Sequence, residues 1–330
     1  MLVAHREGEL FHRASEGPDL VPLAPANEID LAAAWKLSKI IRQSQPAIVH
    51  AHDPHAVSMA GLALSFGSPD RRPKMIASRR VDFHLQSHAF SQWKYRQVDA
   101  FIAASNAIRD ILVHDGIPAG RIHVVHDGID VDKIAHRPAA DLHAEYWLPH
   151  GVPVIVNVGA LVGHKGQKYL VDAMPMVLRD VPDAHLVIFG EGELRVPLEK
   201  QIKHLNLTKR VLLPGFREDV LSLMKSADLF VMSSITEGLG SAVLDAMAMG
   251  HGVVGTRAGG IPEAVVPGET GLLVEPADPK ALAAAIVTLL KDRELRAEYG
   301  AAGRARVADH FGVNRLVEGT LEVYQRVTSG

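Results

Sequence analysis

The chain of 330 residues contains no cysteine, which excludes disulfides, zinc ribbons, iron–sulfur clusters and thiol nucleophiles. No apolar run approaches the ~18 residues that a membrane-spanning helix needs, and the first residues lack the apolar core of a signal peptide. Neither charge is in large excess, since 35 Lys and Arg face 38 Asp and Glu, for a net charge of −3. These absences predict a cytoplasmic protein that is not a general nucleic-acid binder.

The composition is that of a folded protein. Hydrophobic residues make up 47% of the chain and charged residues 22%, which supplies enough apolar surface for two cores and excludes a disordered protein. At roughly 150 residues per domain, the length of the chain also predicts two domains. Histidine is unusually frequent, with 18 copies, so metal binding is the first chemistry to consider.

Short apolar runs alternate with helical patterns along the whole chain. The runs predict strands at residues 47–50, 74–77, 100–104, 122–126, 154–159, 185–189, 210–213, 228–233 and 252–256. Strands that alternate with helices are typical of parallel sheets covered on both faces. The weakly patterned segment 133–151 is predicted to link a first domain, 1–132, to a second, 152–309. A last helix is predicted within 310–330.

The most informative segment is Thr236-Glu-Gly-Leu-Gly-Ser-Ala-Val-Leu-Asp245, which lies between a predicted strand and a predicted helix. Gly238 and Gly240 let the backbone come close to a ligand, and the amides of a helix N-terminus favour an anion. Glu237 lies in the loop and Asp245 one helical turn into the helix, so both carboxylates can face one ligand. The pattern predicts a ligand with hydroxyl and phosphate groups, although a tight turn before a capped helix would carry the same glycines.

Three more glycine-rich loops follow predicted strands of the second domain. In residues 157–166, Lys165 lies between Gly163 and Gly166, where it can bind a phosphate, although a solvated lysine would have the same sequence. The other two loops are 190–193 and 258–263. Because a doubly wound sheet binds ligands at the carboxyl ends of its strands, the four loops together predict one site.

The motifs of residues 158–276 resemble, in order and spacing, the C-terminal half of a retaining GT-B glycosyltransferase of family four. The matching pieces are Val158-Gly-Ala, His164-Lys-Gly166, Gly190-Glu-Gly192, Leu213-Pro-Gly-Phe216, Ala227-Asp-Leu-Phe-Val231, the run 237–250, Gly259-Gly-Ile-Pro-Glu263 and Glu269-Thr-Gly-Leu-Leu273. The first half matches more loosely, through 48–52, 78–82 and 101–105. The resemblance implies an α/β fold of two doubly wound, Rossmann-like domains facing across a cleft, with the last helix packed back on the first domain.

The resemblance also implies a reaction. A nucleoside-diphosphate sugar would bind the second domain and an acceptor the first, with no cofactor and no metal ion. Glu237 would stabilise an oxocarbenium-like transition state, Lys165 would stabilise the leaving diphosphate, and Asp245 would replace a glutamate that holds the ribose. The implied donor-binding residues are Gly163, Lys165, Gly190, Glu237, Gly238, Leu239, Gly240, Ser241 and Asp245. The implied acceptor-side residues are His52, Arg79 and Arg80.

Three departures from the family pattern bear on activity. Ala160 replaces an arginine that neutralises the diphosphate, so another cation, such as His164 or Lys168, would have to compensate. Arg80 stands where many members have a histidine; arginine cannot be a general base, which fits a reaction in which the leaving phosphate accepts the proton of the acceptor. Met1 falls where the second strand of the family is expected, so the first domain is expected to lack its first strand and helix.

Two histidine groups and one basic segment remain. The groups His50-x-His52-x-x-His55 and His84-x-x-x-His88 have no carboxylates in a suitable order, so no metal site is predicted. The segment 70–96 contains seven Lys and Arg against two Asp, which suggests contact with an anionic membrane surface, although a solvated face explains it equally well.

The sequence therefore predicts a retaining, metal-independent glycosyltransferase. It would move a sugar from a nucleoside-diphosphate sugar to a glycan or lipid-linked acceptor, in the synthesis of cell-envelope polysaccharide or lipopolysaccharide, in the cytoplasm or at the inner face of the membrane. Two alternatives remain open. One is a nucleotide-sugar 2-epimerase on the same fold, which would consume no acceptor, and the other is a truncated relative without catalytic activity.

Overall fold

Strands and helices alternate along the chain, as predicted. The computed structural model describes residues 1–14, 17, 19–67 and 72–329. Its strands are β1 (Leu2–Ala4), β2 (Leu20–Pro22), β3 (Ile48–Ala51), β4 (Lys74–Arg79), β5 (Ala100–Ala103), β6 (Ile122–Val124), β7 (Val154–Val158), β8 (His185–Phe189), β9 (Val211–Gly215), β10 (Leu229–Met232), β11 (Gly252–Thr256) and β12 (Leu272–Val274).

The α-helices connect these strands and end the chain. They are α1 (Glu9–Arg13), α2 (Leu31–Ser44), α3 (Pro54–Ser65), α4 (Ala89–Arg96), α5 (Asn106–His114), α6 (Val131–His136), α7 (Leu142–Glu145), α8 (Gln167–Asp180), α9 (Arg195–His204), α10 (Val220–Met224), α11 (Ser241–Met249), α12 (Ile261–Ala264), α13 (Pro279–Lys291), α14 (Arg293–His310) and α15 (Val313–Ser329). None of the helices within the described residues is long and apolar enough to cross a membrane.

The second half of the chain is built around a six-stranded parallel sheet. Its strand order is β12-β11-β10-β7-β8-β9, so the chain builds outwards from β7 in one direction and then from β10 in the other. Alternate residues of β7 enter two cores, Val154 and Val156 on one face and Ile155 on the other. Helices cover both faces, which is the doubly wound arrangement, and the order reverses between β7 and β10.

The first half contains two separate parallel sheets, of which the larger has the order β3-β4-β5-β6 and the smaller pairs β1 with β2. Among the described residues no strand pairing joins the two sheets. The small sheet is attached through side chains instead, since Val3 packs with Leu37 of α2 and Met59 of α3. The strand that begins at Leu2 thus lies beside β2, whose three residues the sequence did not predict as a strand.

The segment 133–151 differs from the predicted linker. It contains most of α6 and all of α7, and Leu142 and Leu148 are buried in one of the two cores of the second half. The hydrogen bond from Leu142 N to Ser226 Oγ, at 3.0 Å, fixes the start of α7 to the second half. Its helices are only six and four residues long, which is too short for a recognisable helical period in the sequence.

The last helix, α15, packs on the first half. Val323 is buried against Ile76 and Ile102 of the β3–β6 sheet, together with the partly buried Leu316 and Tyr324. Just before it, Gly312 forms a parallel bridge with Ile129. The chain therefore crosses between the halves twice, near residue 129 and near residue 312, and the two crossings lie side by side.

A carboxylate of the second half is held at the start of a helix of the first half. Both oxygens of Glu263 accept hydrogen bonds from α5: Oε2 from the backbone N of Asn106 at 3.0 Å and its Nδ2 at 2.8 Å, and Oε1 from Ala107 N at 3.1 Å. His126 Nε2 lies 2.8 Å from Oε2. Burial alone would raise the pKa of Glu263, but these hydrogen bonds outweigh burial and lower the pKa to about 2.

Replacing Glu263 with glutamine should destabilise the protein in a pH-dependent way. The pKa of this group is lower in the folded protein than its ordinary value of 4.5, so its contribution is complete above pH 4.5 and is lost as the pH falls towards 2. We expect Glu263→Gln to lower the free energy of unfolding by up to about 3 kcal/mol at pH 7 and by much less near pH 3. Urea unfolding at both pH values measures this, and the exposed Glu269→Gln is the control. A pH-independent loss would contradict the explanation.

Candidate functional site

At the carboxyl ends of the strands, near the point where the strand order reverses, the loops after β7, β10 and β11 form a crevice. Their backbones come very close to one another at two glycines. Gly166 follows β7 with a positive φ of 64°, and a Cβ on it would collide with the carbonyl oxygen of Ser233, which follows β10. A Cβ on Gly259, after β11, would collide with the carbonyl oxygen of Glu237. Only glycine fits at these two positions, which explains why glycine-rich loops end these strands.

The Glu237 and Lys165 side chains meet across this crevice. Lys165 Nζ donates a hydrogen bond of 2.7 Å to Glu237 Oε2, and Ser234 Oγ donates one of 2.9 Å to the same oxygen. The side chains of Lys165 and Glu237 are only 19% and 11% exposed, and Ser234 is fully buried. Ser234 is itself positioned by Thr256, whose hydroxyl donates to the Ser234 carbonyl oxygen at 2.6 Å. The two predicted catalytic residues thus form one ion pair.

The predicted donor-binding loop leads directly into α11. Gly240, with a φ of 89°, is the residue that precedes the helix. Because glycine has no side chain, it cannot accept a hydrogen bond from the first backbone amides of α11 as a capping side chain would. Leu239 is buried, whereas Ser241 is exposed. This N-terminus can bind an anion beside Lys165.

The remaining glycines of the predicted donor site lie at the neighbouring strand ends. Gly163 is exposed, in the turn before α8. Gly190 follows β8, and a Cβ on it would collide with the carbonyl oxygen of Gly159 after β7. The loops after β7, β8, β10 and β11 therefore lie at one edge, as the sequence indicated. Which of these residues touch a donor stays a prediction.

Asp245 lies one turn into α11, largely buried. Burial raises its pKa to about 6, although the positive charge of Arg137 acts in the opposite direction. Among the described residues its carboxylate makes no hydrogen bond. A largely buried carboxyl of this kind can accept hydrogen bonds from the hydroxyls of a ligand, which would compensate for its lost hydration.

A cavity of about 230 Å³ lies between the carboxyl ends of the β3–β6 strands and α15. Two of the three predicted acceptor-side residues, His52 and Arg80, line it, together with His50, Ser78 and Asp127. Arg79 does not; its guanidinium donates to the carbonyl oxygen of Phe83. The structure therefore brings together two of the three predicted residues.

The two histidines of this cavity are neutral at pH 7. Burial lowers the pKa of His50 to about 3, and it also lowers the pKa of His52, with the charge of Arg80 as a further cause. His50 Nδ1 lies 2.7 Å from Tyr324 Oη and its Nε2 lies 2.8 Å from Ser78 Oγ. Both ring nitrogens of His50 are engaged, so it is not a metal ligand here.

Arg80 connects the cavity to the donor-side loops. Its Nε lies 3.1 Å from Asp127 Oδ1, and its carbonyl oxygen lies so close to Gly238 that a Cβ there would collide with it. Gly238 also accepts a hydrogen bond of 2.7 Å from the buried Ser105 hydroxyl. The loop that carries Glu237 is thus covered by the first half of the chain.

The cations considered as substitutes for the arginine replaced by Ala160 have other contacts. Lys168 is exposed and lies over the ring of Tyr169, 4.6 Å from its centroid. The ring of His164 packs edge-on against Phe83 of the first half, with centroids 5.4 Å apart. Whether either cation compensates for Ala160 stays a prediction.

The basic segment 70–96 does not form one exposed face. Lys94 is buried and its Nζ lies 3.2 Å from Glu28 Oε2, while Arg72 is paired with Asp99 at 3.2 Å. Asp70 and Arg71 lie outside the described residues. Contact with an anionic membrane stays a prediction, and these two paired cations do not support it.

Comparisons with known proteins agree with this architecture. Residues 140–306 match the family described as glycosyl transferases group 1, and residues 2–133 match glycosyltransferase family 4. The chain is 28% identical over 306 residues to N-acetyl-alpha-D-glucosaminyl L-malate synthase of Bacillus anthracis, covering 90% of this chain and 79% of the relative.

Solved structures show the same fold. A glycosyltransferase from Rickettsia africae superposes with a TM-score of 0.84 at 22% identity, covering 98% of this chain and 88% of that one. Anabaena Alr3699/HepE in complex with UDP-glucose superposes with a TM-score of 0.79 at 23% identity, covering 97% and 88%. The fold, the crevice and the matched residues lead to one conclusion: the chain belongs to glycosyltransferase family 4 and has the GT-B fold.

Proposed function

We propose that this glycosyltransferase moves a sugar from a nucleoside-diphosphate sugar to an acceptor with retention of configuration and without a metal ion. The observation that carries the proposal is the 2.7 Å ion pair of Lys165 and Glu237, which lies at the switch point of the sheet and beside the N-terminus of α11. A lysine, a helix N-terminus and two carboxyls match the charges of a nucleotide sugar. The UDP-glucose complex of Alr3699/HepE supports a donor of this class.

Donor binding would replace one partner of the ion pair. The diphosphate would take the Lys165 ammonium, which then stabilises the charge that develops on the leaving group, together with the first amides of α11. Glu237, still held by Ser234, would be free to face the sugar and stabilise positive charge at its anomeric carbon. Asp245 would accept a hydrogen bond from the ribose, directly or through a water, because it is one methylene shorter than glutamate.

The transfer step needs no general base from the first half. The bond from the anomeric carbon to the diphosphate breaks, a bond to the acceptor oxygen forms on the same face, and the acceptor's proton passes to the leaving phosphate oxygen. Arg80 cannot accept that proton, and His50 has both ring nitrogens engaged. Arg80 and His52 would instead bind the acceptor in the cavity of the first half.

The acceptor is proposed to be a glycan or a lipid-linked saccharide of the cell envelope. The support is the cavity beneath α15, which combines Arg80 and His52 with apolar side chains such as Leu316 and Val317. Such a lining suits an amphiphilic acceptor. Work at the inner face of the membrane would follow from a lipid-linked acceptor.

Binding and product analysis separate this proposal from its rivals. Calorimetry with UDP-, GDP- and ADP-sugars should detect one of them, and no binding to any would favour a non-catalytic relative. With the bound donor, transfer should require an acceptor. Release of free nucleotide with an epimerised sugar and no acceptor consumed would favour a 2-epimerase instead.

Glu237→Gln should abolish turnover while nucleotide affinity stays within a fewfold of the parent. The expected loss in kcat is at least about 100-fold, because the variant lacks the charge that stabilises the transition state. Steady-state kinetics and nucleotide calorimetry measure the two effects, with the exposed Glu298→Gln as the control. If turnover and nucleotide affinity were lost together, Glu237 would have a structural role.

Asp245→Asn should make the protein more stable and its nucleotide binding weaker. In the folded protein the pKa of Asp245 is about 6, above its ordinary value of 3.8. The free energy of unfolding therefore falls as the pH rises from about 4 to 6, and above pH 6 the ionised, buried carboxylate continues to destabilise the folded protein. We expect a gain of up to about 3 kcal/mol at pH 8 and almost none at pH 4. Urea unfolding at both pH values and calorimetry with free nucleotide test this. A less stable variant at pH 8 would contradict it.

A further inference from the structure

A second cluster of polar side chains lies at the C-terminal end of α5. His84 belongs to the irregular segment 80–88 that follows β4, whereas His114 and Asp115 end α5. His84 Nδ1 lies 2.7 Å from Asp115 Oδ1, and the ring centroids of His84 and His114 are 5.5 Å apart. One potential ligand atom from each of the three residues lies within 4.8 Å of the other two.

We propose that His84, His114 and Asp115 bind a divalent transition-metal ion of the zinc class. Two imidazoles and a carboxylate are a ligand set that zinc accepts, and water can complete its tetrahedral coordination. Asp115 is already oriented for this role, since its Oδ2 accepts a hydrogen bond of 2.6 Å from Leu85 N. Both histidines are exposed, which gives an ion direct access.

His88, the histidine grouped with His84 in the sequence, is not among these ligands. His88, four residues after His84, begins α4 instead, where its Nδ1 accepts a hydrogen bond of 3.1 Å from Ser91 N. Its Nε2 lies 2.8 Å from Gln86 Oε1, so both ring nitrogens are occupied. The other two proposed ligands come from the end of α5, some thirty residues further along the chain.

The bound ion would fasten a segment of the cleft. The same segment 80–88 places the Arg80 carbonyl against Gly238 and the Phe83 ring against His164. An ion held by His84 on this segment and by His114 and Asp115 on α5 would add a coordinate link between two elements that already share the hydrogen bonds of Asp115 with His84 and Leu85. The site lies outside the transfer chemistry, so it can be tested independently of the proposed function.

Zinc titration tests the site. The full chain without an affinity tag, first stripped with a chelator, is titrated with Zn²⁺ in competition with a chromogenic chelator. The parent protein should bind one equivalent of Zn²⁺, and the affinity of His114→Ala for this ion should be at least tenfold lower. His204→Ala removes an exposed histidine elsewhere and should behave like the parent. Equal affinity and stoichiometry in all three proteins would overturn the proposal.

Hydrogen exchange tests the fastening. Amides of residues 80–88 should exchange several-fold more slowly when Zn²⁺ is added to the parent protein, and at an unchanged rate when it is added to His114→Ala. Circular dichroism establishes that the variant is folded. Zinc binding without any slowing in this segment would overturn the inference that the ion fastens it.

Discussion

The Lys165–Glu237 ion pair depends on the close approach of neighbouring loops, whose backbones come into contact at glycine residues. Lys165 follows β7 and Glu237 follows β10, the two strands between which the sheet order reverses. Their 2.7 Å contact requires the loops to approach as closely as Gly166 and Gly259 allow. The two largely buried charges neutralise each other, and the lysine is already positioned where a diphosphate could replace Glu237 as its partner.

The first half of the chain completes this site. Ser105 and Arg80 both contact the backbone of Gly238, directly after Glu237. These contacts fix the loop from the side opposite to the sheet that carries it. Arg80 also lines the cavity that contains His52. The site is therefore shared by two halves, each of which forms its own sheet.

Much of the fold followed from the sequence because buried parallel strands are short apolar runs. The glycine-rich loops also indicated Lys165 and Glu237, since strand ends meet at one edge whatever the details of packing. Partners distant in sequence could not be predicted in this way. Ser234 precedes Glu237 without any distinctive pattern, and Lys94 looked like a surface cation although it is buried beside Glu28.

The helical periodicity and the glycine-rich loops of the sequence also do not predict which residues make contacts between the two halves of the chain. The motif that ends in Glu263 predicts a loop at the crevice, but nothing in it indicates that the carboxylate binds α5. The burial of the short helices in 133–151, which the sequence predicts as a linker, likewise depends on residues such as Ser226 far along the chain.

The hydrogen bonds of Glu263 have a consequence for how the cleft can open. His126, one of its partners, packs edge-on against Phe311, and these two residues lie next to the paired crossings at Ile129 and Gly312. Asn106 and Ala107 belong to the first half and Glu263 to the second, so any opening that separated α5 from Glu263 would break these hydrogen bonds and return the carboxylate to water. The energy of that contact therefore opposes separation of the two halves beside α5.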